Sequence, residues 1–309
     1  MSVTTLNYLN LLAYIANVAV TFGVGLIGGI FDLPSIGEQS IKYQTLITPA
    51  GYAFFIWAVI FFAQAAFTIV QLLPSLAGTS LVQNGVSYNY IGVVVMQILW
   101  VLAFLTDAIL LSEIFMLGIL FFLASIVVRQ YNIKQPGGWK EYVLLKFPFL
   151  VHCGWIIVAS LVNTSVLLVF RATDTDLQFY VALASLLGAL VIANLLLTCL
   201  SRPIFVIPMV VAWASVGIFV ELLEPLDLLA AWFGDEAIVT IQYLALIVAI
   251  IIVLAVLLKA YLQLRNRTEN ERKGTSGNTG VARWSTGRDA EQGYVRADEK
   301  GRGAGGWFR

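Results

Sequence analysis

A chain of 309 residues that is 60% hydrophobic and only 12% charged, with a mean hydropathy of +0.87, departs from the soluble norm of about half apolar and a quarter charged. That balance excludes an ordinary soluble domain and fits an all-α, polytopic integral membrane bundle, in which each span needs about 20 apolar residues. The formal net charge of zero hides an asymmetry, because 10 of the 18 Lys and Arg fall after Leu264.

In chain order, apolar runs predict about eight transmembrane helices, at 9–31, 50–73, 88–107, 109–129, 147–170, 178–200, 204–223 and 237–262. The first run is too long for a signal-peptide core, and it lacks a basic leader and a small-residue cleavage site, so it is expected to be retained. The third and fourth are almost continuous. Asp107 is the only charge at their junction, and either a turn or one long bent helix fits. The runs are too long for buried strands and lack the alternation of a membrane barrel. Cys153 and Cys199 both sit in apolar runs and read as buried thiols, not as a disulfide. The tail, 265–309, is rich in Gly, Arg, Glu, Asn, Ser and Thr, and is expected to be disordered.

Loop charges give an orientation. An even number of spans puts both termini on one face with the loops near 74–87, 130–146 and 201–203, where Arg129, Lys134, Lys140, Lys146, Arg202 and Lys259 cluster. The other face carries only Lys42 and Arg171 as cations, together with acids including Asp107, Glu224 and Asp227. This bias predicts cytoplasmic N- and C-termini and a multi-pass protein; it does not say which membrane.

Polar residues inside spans are costly and face the bundle interior. They recur here at helical spacing: Asn10, Tyr14, Asn17 and Thr21; Trp57, Phe61, Gln64, Thr68 and Gln71; Gln97, Trp100 and Phe104; His152, Trp155, Ala159 and Asn163. Facing one another, such stripes would form an apolar, aromatic-walled pocket with a few hydrogen-bonding groups. The same residues could instead join helices by hydrogen bonds, as Gly25-x-x-x-Gly29 would by close approach. The lone His152 reads as a hydrogen-bonded core residue, since no second metal ligand stands beside it. No Ser/His/Asp set, deep carboxylate pair or phosphate-binding glycine loop occurs, so no catalytic residue is assigned and an enzyme is not expected. The carboxylates within spans, Asp107, Glu113 and Glu221, lie near span ends.

Three segments occur in a telling order: ITPAGYAFFIW (47–57), MQILWVLAF (96–104) and FPFLVHCGWIIVASLVN (147–163). Together they resemble the TspO/MBR family, the tryptophan-rich sensory proteins, over about residues 9–170. The chain is most similar to long variants with additional C-terminal helices. The resemblance implies a five-helix bundle over 1–170; the apolar runs beyond it give three additional transmembrane helices over 171–264, followed by the tail 265–309. It implies a flat apolar ligand, a tetrapyrrole of the porphyrin or heme type or a sterol-like molecule, with no cofactor required. It also implies that Trp57, Gln97, Trp100, Trp155, Ala159 and Asn163 line the pocket, with Pro49 and Gly51 shaping a lid loop. Short members usually enter the second helix through Trp-x-Pro-Pro, where this chain has Ile47-Thr48-Pro49-Ala50.

The expected function is therefore binding of a small hydrophobic molecule in a sensory, regulatory or transport role. The alternative is a secondary transporter for a small solute, although no repeat relates spans 1–4 to 5–8. The expected partners are the lipid bilayer and that small molecule, with a homodimer left open and no nucleic acid.

Overall fold

The computed structural model describes residues 3–26, 32–133 and 138–282. Gly29, the end of the first predicted span and the tail beyond 282 lie outside the described residues. Helix α1 (Thr5–Val20) continues as a π-helical turn, Thr21–Leu26. A short α2 (Ile36–Lys42) precedes a 3-10 turn, Gly51–Phe55, that leads into α3 (Ile56–Val70). Then follow α4 (Asn89–Leu105), α5 (Ile109–Asn132), α6 (Phe147–Phe170), α7 (Thr175–Thr198), α8 (Val206–Glu221) and α9 (Asp227–Ala282), the last kinked at Gly234. All eight predicted spans are apolar helices in the expected order. Six helical segments are long and apolar enough to cross a membrane, while Asn89–Leu105 and Val206–Glu221 are shorter. Among the described residues, those up to Lys259 belong to one compact unit and those from Ala260 on to a second.

The α4–α5 junction is a turn, not a bend. Asp107 adopts φ 58°, in the left-handed region that a short polar side chain tolerates, and Ala108 N–H reaches back to the Ala103 carbonyl at 2.9 Å. Contacts between loops respect the expected alternation of sides. Lys42 pairs with Asp107 at 2.6 Å, and Gln44 bonds Glu221, on one face. On the other, Gln83 bonds Thr4 and Asn7, and Tyr131 bonds Ser201 and Arg202.

Two expectations change. Cys199 is exposed, because α7 ends at Thr198 and leaves it as the C-cap, outside the packed face. The helical path also runs on to Ala282, into the segment that composition marks as structureless. Extending an existing helix avoids the nucleation cost that suppresses a free polar segment, and the Arg265–Glu269 pair one turn apart adds to it.

Helix α8 packs along α6 and against the 3-10 turn. Glycines set both approaches. A Cβ on Gly154 would lie 2.9 Å from Val210 Cβ, and one on Gly217 would lie 2.9 Å from Ala53 Cβ and 3.0 Å from Pro49 Cβ. The seventh apolar helix is thus fitted against the entry to the second.

Candidate functional site: an aromatic cavity beneath a buried loop

The segment joining α2 to α3 is not a mobile surface loop. Gln44 through Ala50 are all buried, so their backbone groups need partners. Thr48 Oγ1 accepts from Thr45 N–H at 2.9 Å, Thr45 Oγ1 accepts from Ile47 N–H at 3.3 Å, and Ala50 N–H donates to the Gly217 carbonyl of α8 at 3.0 Å. Trp213 Nε1, also on α8, donates to the Ala53 carbonyl at 3.0 Å, and its ring meets Tyr52 edge-on at 5.4 Å. Pro49 fixes the backbone where the loop turns into the 3-10 helix. Because the entry is 3-10, with a longer rise than α-helix, Trp57 lies deeper than the roughly 9 Å below Gly51 that an α-helix would give.

Beneath this loop lies a cavity of about 610 Å³, within the usual range for small-molecule sites of about 300–1,000 Å³. Its walls are Thr21 and Phe22 from the π-helical turn that follows α1, one face of α2, Pro49 and Gly51 of the loop, Phe54 and Phe55, Trp57, Ala58 and Phe61 of α3, and Trp100 of α4. Gln44, Thr48 and Glu221 add polar groups. Helix α2 is held as a wall by its own cap, in which Ser35 Oγ accepts from Glu38 N–H at 3.1 Å, and by the α4–α5 turn. Gln39 donates to the Phe104 carbonyl at 2.8 Å, while Lys42 and Tyr43 both donate to Asp107. Burial pushes the Asp107 carboxyl upward, but hydrogen bonds from Lys42, Tyr43 and Gln39 outweigh it and hold the carboxyl below its ordinary value.

The expected site residues divide into three groups. Trp57, Trp100, Pro49 and Gly51 line the cavity directly. Trp155 and Asn163 stand behind it. The Trp155 ring packs edge-on against Trp57 at 6.3 Å and Phe54 at 5.5 Å. Asn163 Oδ1 accepts from Trp100 Nε1 at 3.3 Å, and its amide donates to Ser112 Oγ at 3.1 Å and Glu113 Oε2 at 2.8 Å. Asn163 therefore orients the Trp100 indole and does not itself border the space. Gln97 and Ala159 are not among the cavity's lining residues; Gln97 is fully buried, with neither amide atom given a partner. Phe22, Phe54, Gln44, Thr48 and Glu221 were not assigned from the sequence, because helical spacing relates residues on one helix and says nothing of which loop closes over it.

The other polar stripes mostly join helices. Asn7 and Asn10 bond Gln71, and Tyr14 donates to the Phe61 carbonyl at 3.1 Å, whereas Thr21 donates to Asn17 one turn back along its own helix. His152, fully buried, has Nδ1 2.8 Å from Gln64 Nε2, while Tyr90 donates to Gln64 Oε1 at 3.2 Å. Asp107, the carboxylate a transport reading would single out, is committed to holding α2 and does not line the cavity.

A family model described as TSPO-like protein matches residues 7–258, and so takes in helices beyond the fifth. No curated protein and no solved structure matches the chain.

Proposed function

Since the chain belongs to the TSPO-like protein family, we propose that it binds a small, flat hydrophobic ligand in the cavity beneath the Gln44–Ala50 loop. The observation that carries this reading is the joint lining by Trp57 and Trp100, from helices α3 and α4, of an apolar space of about 610 Å³. Trp155 and Asn163 fix those two indoles from behind. A preformed, aromatic-walled space with a few polar groups is the chemistry of ligand sites, whereas a bundle held only by packing fills such a space with side chains. Tetrapyrroles and sterol-like molecules are the ligand classes to try first, in a sensory, regulatory or transport role. The Lys/Arg bias of the loops supports cytoplasmic termini, with the cavity near the opposite face.

The test is a titration of the purified protein in a neutral detergent with protoporphyrin and with a fluorescent sterol, following tryptophan quenching. Saturable quenching by either, weakened by Trp57→Phe and Trp100→Phe, is the expected result. Quenching that both substitutions leave unchanged would move the site elsewhere.

A further inference from the structure

The cavity's polar end has a definite chemical sign. Glu221 is the only charged residue among its described lining residues. Gln44 donates through Nε2 to Glu221 Oε1 at 2.6 Å, which fixes the orientation of the amide. Gln44 Oε1 is buried with no donor, on a residue only 9% exposed, and is shielded from the cavity space, so the charge the cavity presents to a ligand is that of Glu221. Glu221 is also the last residue of α8. A carboxylate there stands at the negative end of the helix dipole, which disfavours it for helix stability and deepens its attraction for a cation. The nearby ammonium of Lys42 is held by Asp107 and does not line the cavity. Trp57, Trp100, Phe54 and Phe61 line the same cavity, and aromatic ring faces attract cations.

We infer that the ligand is a lipophilic amine: a flat apolar body carrying one protonated nitrogen that pairs with Glu221. This rests on the cavity being a ligand site and sharpens which ligand it takes. A tetrapyrrole that brought its carboxylates to this end would set anion against anion, with no Lys or Arg among the lining residues to receive them. A neutral alcohol could hydrogen-bond to Glu221 but would leave its charge uncompensated; an ammonium does both.

Three probes share one ring system and differ only in the head group: 1-pyrenemethylamine, 1-pyrenemethanol and 1-pyrenecarboxylate. Binding to the full chain in neutral detergent at neutral pH is read by energy transfer from tryptophan to pyrene. The amine is expected to bind about tenfold or more tighter than the alcohol, and the carboxylate weakest, as a charge-assisted hydrogen bond would give. Glu221→Gln should abolish the preference for the amine, and an unfolding midpoint in an SDS series close to that of the unaltered protein shows that the variant is folded. Equal binding of amine and alcohol to the unaltered protein, or a preference that survives Glu221→Gln, overturns the inference and leaves the cavity reading standing. Failure of all three probes to bind saturably overturns both.

Discussion

Gly217→Ala tests whether α8 really forms part of the ligand site. In an ordinary helix interior, replacing Gly by Ala stabilises by roughly 0.5–1 kcal/mol, because the unfolded chain loses freedom. At this position the new Cβ would sit 2.9 Å from Ala53 Cβ and 3.0 Å from Pro49 Cβ, too close for two carbon atoms, with the Ala50 nitrogen 3.7 Å away. Overpacking of this kind costs about 1–3 kcal/mol. If the loop lifts to escape, the bond from Ala50 N–H to the Gly217 carbonyl is lost as well, at about 0.5–1.5 kcal/mol. The control is Gly188→Ala on α7, where an added Cβ meets nothing within 4 Å. The helix-preference contribution is common to both variants, so the difference between them isolates the clash and should be about 1–3 kcal/mol, Gly217→Ala being the less stable. Unfolding in a neutral detergent, followed by tryptophan fluorescence over an SDS series, measures it. Pyrenemethanol affinity should fall in Gly217→Ala and hold in Gly188→Ala. If both substitutions shift stability alike and leave binding alone, the α8–loop contact does not set the site.

Gln97→Met should raise stability by about 1–3 kcal/mol in the same assay, since it removes two buried polar atoms that lack partners; a loss would mean that the amide serves a bound molecule. Asn163→Leu should lower stability by about 2–3 kcal/mol, because it strips bonds from Trp100, Ser112 and the buried Glu113 carboxyl together, and the Trp100 emission should shift. The Lys42–Asp107 contact gives a pH signature. The Asp107 carboxyl titrates below its ordinary 3.8, so its contribution is complete above that value and is lost as pH falls through the lower folded-state value. Lys42, raised above 10.5 chiefly by its hydrogen bond to Asp107, loses its share only as pH rises through that higher value. The stability gap between the protein and Asp107→Asn should therefore be flat from about pH 5 to 8 and should shrink in high salt, because the pair is exposed.

The membrane class, the order of eight apolar helices and the aromatic character of α3, α4 and α6 were all legible in the residues. Run length and composition decide whether a segment can be an apolar helix, and those properties are local. Trp57, Trp100 and Trp155 could be marked as one group because each falls on a helix face shared with other polar or aromatic residues. Which face is inside is a different matter. In a membrane bundle the lipid-facing and core-facing sides are both apolar, so periodicity alone does not separate a cavity wall from a packing surface. That is why Trp100 lines the space while Gln97, one turn away, does not, and why Trp155 stands behind Trp57. The partnership of Gln44 with Glu221 joins residues 177 positions apart, and only the packing of α8 against the loop, made possible by Gly217, brings them together.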